Sequence, residues 1–119
     1  MNYKLIEKNN KRYIEILSSQ SPLNSEQDAL DLIALCWELD THQLMLHGEV
    51  LSGDFSNLRT GIAGGMLQKF INYSIRVAAI IPTEVANAGR FREMVLETNK
   101  GNAFRVFDKK EEAESWLLK

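Results

Sequence analysis

The stretch HGEVLSGDFSNLRTGIAGGML, from His47 to Leu67, gathers residues whose types and spacing could do chemistry. His47 ends a short apolar run and is followed closely by Glu49 and Asp54, so an imidazole base and an orienting carboxylate could come together here. No motif for an activated nucleophile accompanies them. The hypothesis of an enzyme with His47 and Asp54 as catalytic residues therefore lacks the group that would attack a substrate.

Three glycines in the same stretch, Gly61, Gly64 and Gly65, raise the question of a phosphate-binding loop. No Gly-Lys-Ser/Thr follows them, and the GxGxxG spacing of a dinucleotide-binding turn is missing. Glycines inside a helix more often let that helix approach a neighbouring element closely. We therefore interpret these glycines as packing residues and predict no nucleotide cofactor.

The chain offers no obvious set of ligands for a metal ion. It has one cysteine and two histidines, and His42 lies in a predicted turn before the strand that His47 ends, so these histidines are not expected to share a metal. Cys36 lies among leucines and an isoleucine on a predicted helix and is interpreted as an inert core residue. The sequence predicts neither a metal site nor a cofactor.

Two predicted loops are expected to meet at one edge of the sheet. The first, Gly48 to Thr60, leaves the end of a strand and enters the start of a helix, where free N–H groups and the helix dipole favour anions. The second, Pro82 to Arg92, brings arginines whose guanidinium groups suit phosphate or carboxylate. The candidate binding residues are Asp54, Ser56, Arg59, Thr60, Arg90 and Arg92.

Each of these residues also has a purely structural interpretation. Asp54 could hold a turn, and Ser56 or Asn57 could cap the helix that follows. The arginines could be solvated and pair with nearby carboxylates, namely Glu84, Glu93 or Asp54.

A phosphoryl group in this segment would lie near a helix N-terminus, where its charge is favoured. The candidate sites of phosphorylation are Ser52, Ser56 and Thr60.

Composition sets the class of protein. The 119 residues, 45% of them hydrophobic and 25% charged, predict a single domain over 1–119. The net charge of −2 gives no basic surface for nucleic acid and no polybasic anchor for a membrane. No apolar run approaches the roughly 20 residues that span a bilayer. We therefore expect a cytoplasmic protein that binds neither nucleic acid nor membrane.

Hydrophobic periodicity and turn signals predict an α/β fold in the order ββαβαβαβα, with a mixed sheet, a mainly parallel core and an N-terminal hairpin. The predicted strands are Tyr3 to Glu7, Arg12 to Leu17, Gln43 to His47, Arg76 to Ile81 and Ala103 to Phe107. Four helices are predicted. The first begins at the capping box Asn24 to Gln27 and runs to about Glu38, and the last follows the capping box Asp108 to Glu111. The two between them cover Leu58 to Asn72 and Arg90 to Thr98.

Three details of these elements are specific expectations. The apolar stripe of the first helix is predicted to include Ala34 and Trp37. Gly101 is predicted to end the helix before it with a positive φ. The N-terminal hairpin leaves a sheet edge at which a second copy could pair, so a homodimer is an open alternative.

Four segments carry a resemblance to a known family. ALDLIALCWELD, LRTGIAGGMLQKF, GRFREMVLETNKGNAFRVF and EEAESWL resemble a family of small bacterial proteins described only as a domain of unknown function. This similarity runs from about Tyr13 to Leu117.

The element order and the closing EEAESWL are also similar to the STAS fold of sulfate transporters and anti-sigma-factor antagonists. This resemblance implies a non-enzymatic switch in which a Ser or Thr, in the loop after the third strand, is phosphorylated and controls the binding of a partner protein. The Asp-Ser-Ser-Gly pattern of the antagonists is replaced here by SGDFSNLRTG, in a longer loop.

The sequence thus leaves three hypotheses. The first is a binding or regulatory module of STAS type whose loop from Gly48 to Thr60 contacts a protein partner and is modulated by phosphorylation. The second is a binder of a small anionic or partly apolar ligand between the two loops. The third is an enzyme using His47 and Asp54.

Overall fold

The structure is a computed structural model that describes residues 1–119, and its centre is one five-stranded sheet with the strand order β1-β2-β3-β4-β5. The strands are β1 (Asn2–Lys8), β2 (Lys11–Ser18), β3 (Gln43–His47), β4 (Arg76–Ile80) and β5 (Phe104–Phe107). The helices are α1 (Glu26–Glu38), α2 (Ile62–Asn72), α3 (Thr83–Ala86), α4 (Gly89–Thr98) and α5 (Lys110–Leu117). β1 pairs with β2 in antiparallel fashion and all other pairs are parallel, which confirms the predicted mixed sheet.

The hairpin turns on two asparagines in the left-handed region. Asn9 has φ 54° and Asn10 has φ 64°, as a two-residue type I′ turn requires. This turn sets the register in which Lys8 faces Lys11 and Leu5 faces Ile14. The predicted hairpin is therefore confirmed, together with the residue type that makes it.

The strand order is sequential, so the three crossovers proceed across the sheet in one direction. The helices α1, α2 and α4 all pack on the same face of the sheet. The core between them and the strands includes Ile14, Leu46, Val77 and Phe104. Helix α5 covers the opposite face, where Trp116 packs with Tyr13 and Met45 in a smaller core. Because all three crossovers run in the same direction, the sheet has no switch point, which is the position where neighbouring crossover helices lie on opposite faces.

Helix α1 is rotated and capped differently from the prediction. Ser25 is its N-cap and accepts from the N–H of Asp28, whose carboxylate in turn accepts from the N–H of Asn24, so the box is formed by Ser25 and Asp28 rather than by Asn24 and Gln27. The buried positions are Ala29, Leu32, Ile33 and Cys36. Ala34 and Trp37 were expected in the core, but both are exposed, Trp37 by 57%. Trp37 packs against Tyr73 on the surface instead.

Other helix ends also differ from the expectations. Helix α2 begins at Ile62 rather than Leu58, because Leu58–Thr60 forms a 3₁₀ turn and Gly61 follows in the left-handed region with φ 74°. Helix α4 ends at Thr98 as predicted, but its C-cap is Asn99, and Gly101 has no positive φ. Asp108 does not cap α5, whose N-cap is Lys109 without a side-chain bond.

Two remaining features complete the fold. The structure adds the short helix α3 after Pro82, which the sequence did not predict. Of the interpreted packing glycines, Gly65 does permit close contact, since a Cβ there would lie 3.0 Å from Glu26, whereas Gly64 faces open space. No helix in the structure is both long and apolar enough to cross a membrane.

Candidate functional site

The β3–α2 loop (residues 48–60) is a chain of three short 3₁₀ turns at the carboxyl edge of the sheet. Backbone hydrogen bonds pin it to the connection before α1: Leu23 donates to Val50 at 2.6 Å and Ser52 donates to Leu23 at 3.2 Å. Phe55 is buried and packs its ring against Phe91 and Phe104. The loop is therefore anchored by both backbone bonds and a core aromatic.

The loop starts at a position that only glycine can fill. A Cβ on Gly48 would lie 2.7 Å from the carbonyl oxygen of Ile80, too close for any other residue without a backbone shift. Gly48 thus lies against the last residue of β4, directly after which the β4–α4 loop (residues 81–88) begins. The predicted meeting of two loops at one edge is thus what the structure has.

An apolar cavity of about 210 Å³ lies between the two loops. It is lined by Gly48, Leu51, Ser52, Gly53, Phe55, Ser56, Ile81, Pro82, Val85 and Phe91. The hydroxyl of Ser52 is buried at this cavity and has no hydrogen-bond partner. A buried hydroxyl without a partner is costly, so this oxygen marks a place where a ligand atom would be favoured.

A wider groove adjoins the cavity and shares Ser56 and Phe91 with it. Arg59 and Arg90 both line this groove, whereas Arg92 does not. The three arginines and Asp54 form no ion pair and no side-chain hydrogen bond, so the predicted alternative of pairing with Glu84, Glu93 or Asp54 does not occur. We call the surface formed by Asp54, Ser56, Arg59, Thr60 and Arg90 the two-loop face.

The three candidate hydroxyls have different environments. Ser52 is buried at the cavity. Ser56 donates to the carbonyl oxygen of Gly53, and Asn57, not Ser56, caps the next turn by accepting from the N–H of Arg59. Thr60 is exposed, donates to the carbonyl oxygens of Asp54 and Asn57, and accepts from the N–H of Ile62 at the start of α2. Thr60 is therefore the most accessible of the three to a modifying enzyme.

His47 lies on the other face of the sheet, under α5. Its Nε2 is 2.7 Å from a carboxylate oxygen of Glu15, and Nζ of Lys110 is 3.1 Å from the same oxygen. The carboxylate that holds His47 is thus Glu15, not Glu49 or Asp54 as expected, because alternate residues of β3 face opposite sides of the sheet. Asp54 belongs to a segment packed on the α1 side through Phe55.

Glu15 is the most deeply buried charge in the chain, with a side chain only 3% exposed. Burial alone would raise the pKa of this carboxyl, but the hydrogen bonds and charges of His47 and Lys110 outweigh burial and hold the pKa below its ordinary value. A buried carboxylate with two donors is well satisfied. We call Glu15, His47 and Lys110 the Glu15 cluster.

A second polar group fastens α5 to the hairpin nearby. Tyr13 donates to Glu114, which also accepts from Lys8 at 3.2 Å. Burial and the neighbouring carboxylate raise the pKa of Tyr13, and the bond from Tyr13 is the main cause of the lowered pKa of Glu114. Both polar groups hold α5 to the strands.

The sequence reasoning missed Glu15. The signal was a carboxylate between two isoleucines in the run YIEIL, but Arg12 to Leu17 was interpreted only as one strand of the N-terminal hairpin, and Glu15 was given no role. In the structure β2 lies between β1 and β3, and both of its faces are covered. A charge in a strand covered on both sides requires partners, which His47 and Lys110 supply.

No three His, Cys, Asp or Glu side chains converge where they could hold a metal ion. Burial raises the pKa of Cys36 to about 12, as expected for a thiol that stays protonated in the core.

Comparison with known proteins places the chain in a family without assigning it an activity. Residues 8–117 match the family model described as a domain of unknown function, DUF4180. No curated protein and no solved structure is significantly similar to the chain. Because the family match spans nearly the whole chain, the protein belongs to the DUF4180 family.

Proposed function

We propose that this protein is a non-enzymatic binding and regulatory module of STAS type, which acts by contacting a partner protein through its β3–α2 loop. The sequential strand order of β2 to β5, with three crossover helices on one face, supports the resemblance to STAS domains. The resemblance implies that the loop after the third strand controls the binding of a partner, and here this loop supplies four of the five residues of the two-loop face, with Arg90 coming from α4.

One observation carries the proposal: an anchored loop presents charges that the fold does not use. Asp54, Arg59 and Arg90 have no ionic partner in the chain, although Phe55 and Phe91 beneath them are buried. Charges on a rigid support lose little conformational entropy on binding. Such a surface is suited to recognise a partner by complementary charge.

Phosphorylation of Thr60 is the proposed control. A kinase would transfer a phosphoryl group from ATP to Oγ1, displacing the hydroxyl proton and releasing ADP. The added group ends the donation from Thr60 to Asp54 and Asn57 and puts a charge of about −2 beside Arg59 at the start of α2. The charge of the two-loop face would thereby be reversed locally.

The test is affinity capture from a lysate with matched charge variants. The double variant Asp54→Ala, Arg59→Ala removes one acid and one base from the two-loop face. The control, Glu97→Ala with Lys100→Ala, removes one exposed acid from α4 and one exposed base just after this helix. We expect the wild type and the control to retain the same partner and the first variant to lose it. Equal capture by all three proteins would reject the two-loop face.

A second candidate function is the binding of a small anionic, partly apolar ligand, and the cavity favours it. The apolar lining, the unpartnered hydroxyl of Ser52 and the adjacent guanidinium groups of Arg59 and Arg90 are complementary to such a molecule. Gly53 lines the cavity, and a Cβ there would meet no atom within 4 Å, so Gly53→Leu adds a bulky side chain at the wall of the cavity.

Thermal denaturation with nucleotides, sugar phosphates and fatty acids tests this second function. A ligand that binds the native state raises the Tm of the wild type, and Gly53→Leu should abolish that rise. Gly64→Leu, on an open part of α2, is the matched control and should keep it. The absence of any Tm shift in the wild type would reject the small-molecule function and leave the protein-binding one intact.

A further inference from the structure

The two edges of the sheet differ in how their outward backbone groups are satisfied. At the β5 edge the carboxamide of Asn99 bonds both the N–H and the carbonyl of Val106, at 2.8 Å and 3.2 Å, and Thr98 donates to the carbonyl of Phe104 at 2.8 Å. Side chains at the C-terminal end of α4, those of Thr98 and of the C-cap Asn99, therefore occupy the positions that another strand would take. β5 is also short, with only four residues. The β5 edge is closed.

The β1 edge has no such cover. In a two-residue hairpin the residues that flank the turn, Lys8 and Lys11, bond each other, so the even-numbered residues of β1 direct their backbone groups to β2. The backbone groups of Tyr3, Leu5 and Glu7 consequently point away from the sheet, and no side chain bonds them. β1 has seven residues and contacts the rest of the chain mainly through β2.

The charge of this hairpin differs in sign from that of the whole chain. Residues 1–12 contain four basic side chains, those of Lys4, Lys8, Lys11 and Arg12, and one acidic side chain, that of Glu7, which gives a net charge of +3. The whole chain has a net charge of −2. Glu7 is paired with Arg12, whereas Lys4 and Lys11 have no ionic partner. An open strand edge is thus combined with a local excess of positive charge.

We propose that the β1 edge takes up an extended acidic segment of a partner protein as a sixth strand. Strand addition to an open edge obtains its affinity from main-chain hydrogen bonds and its specificity from alternate side chains. Pairing with a second copy is less favoured, because it would bring two positively charged segments, residues 1–12 of each copy with a net charge of +3, edge to edge. Unlike the two-loop face, this surface lies at the outer strand of the sheet.

The geometry also specifies the pattern of the incoming segment. Its main chain bonds the outward groups of Tyr3, Leu5 and Glu7. Side chains on one face of it lie beside Lys4 and are acidic, and those on the other lie beside the exposed side chains of Tyr3 and Leu5 and are apolar. The segment therefore alternates acidic and apolar residues over five to six positions, about the length of β1 that is free.

The experiment measures the fluorescence anisotropy of two labelled, end-blocked hexapeptides, one alternating Glu with Val and one alternating Lys with Val. Leu5→Pro removes the outward N–H of Leu5 and leaves the β1–β2 bonds in place, since proline is tolerated on edge strands. Lys4→Glu reverses the charge beside the edge. Lys100→Glu, at an exposed position just after α4, is the control for the change of charge.

We expect the wild type and Lys100→Glu to bind the Glu/Val peptide only, Leu5→Pro to bind it about tenfold more weakly, and Lys4→Glu to prefer the Lys/Val peptide. Amide hydrogen exchange should show protection of Leu5 in the complex. The proposal would be overturned if the wild type did not bind the Glu/Val peptide, or if the wild type and Lys4→Glu bound it equally well. The comparison with Lys4→Glu remains valid even if Leu5→Pro fails to fold. A wild-type dimer in sedimentation that Lys4→Glu strengthens would assign the edge to a second copy instead.

Discussion

Charged residues lie near the carboxyl edge of the sheet on both of its faces, and their roles on the two sides are opposite. In the Glu15 cluster the carboxylate is bound by both His47 and Lys110 and lies under α5. On the two-loop face Asp54, Arg59 and Arg90 have no partner within the chain. Residues of similar chemistry at the same edge thus stabilise the fold on one side and remain free for recognition on the other.

The comparison shows why two residues of catalytic type that are close in sequence need not form a catalytic pair. His47 and Asp54 are seven positions apart and lie at one sheet edge, which suggests a base with its orienting carboxylate. The sheet separates them, and the imidazole is held by Glu15, which comes from β2. We therefore interpret the imidazole as part of the attachment of α5.

Loss of the aromatic anchor should have the largest effect on stability. Phe55→Ala leaves a cavity between Phe91 and Phe104, and we expect the free energy of unfolding to fall by about 3 to 4 kcal/mol. Urea denaturation measures this, with Leu96→Ala at an exposed position as the control. A loss below about 1 kcal/mol would show that the two-loop face is not held by the core.

Loss of the buried carboxylate should rank next. Glu15→Ala leaves His47 and Lys110 without their acceptor and is expected to cost about 2 to 3 kcal/mol. Asp54→Ala, the matched deletion on the two-loop face, should change stability by less than about 0.5 kcal/mol. Equal losses in urea denaturation would remove the distinction between the two sides of the edge.

The pH dependence of stability should also separate the two sides. Since the folded-state pKa of Glu15 lies below the ordinary value of 4.5, its contribution is present above that pH and is lost as the pH falls through the folded pKa. Glu15→Gln should therefore lose less stability than the wild type between about pH 5 and pH 3. Asp54→Asn, the matched variant on the two-loop face, should leave the stability at pH 7 within about 0.5 kcal/mol of the wild type. Parallel curves for wild type and Glu15→Gln would mean that the carboxylate is not favoured in the folded state.

Local signals in the sequence were sufficient for much of the fold. The pair Asn9-Asn10 predicted the hairpin because asparagine tolerates positive φ, and the bounds of β3 were predicted correctly, Gln43–His47, because an apolar run stands between polar turns. What failed depended on neighbours distant in sequence. Trp37 fits the helical period, yet α1 is rotated so that this ring packs on Tyr73 at the surface.

The candidate site shows the same limit. The meeting of two loops followed from the parallel strands, and Arg59 and Arg90 do line one groove. The partner of His47 could not be predicted, because the pairing of β2 beside β3 brings Glu15 there from 32 positions away. The unpartnered hydroxyl of Ser52 likewise depends on how the loop packs, which no local motif encodes.

Photo-crosslinking tests most directly whether a partner protein contacts the two-loop face. In one variant a benzophenone side chain would replace Ala88, which lines the groove of Arg59 and Arg90. In a separate variant it would replace Ser115, which is exposed on α5 on the opposite face of the sheet. Neither residue uses its side chain in a hydrogen bond, so both variants should fold normally. We predict one discrete crosslinked partner from position 88 and none from position 115. The same partner from both positions, or from position 115 alone, would contradict the assignment of the two-loop face as the recognition surface.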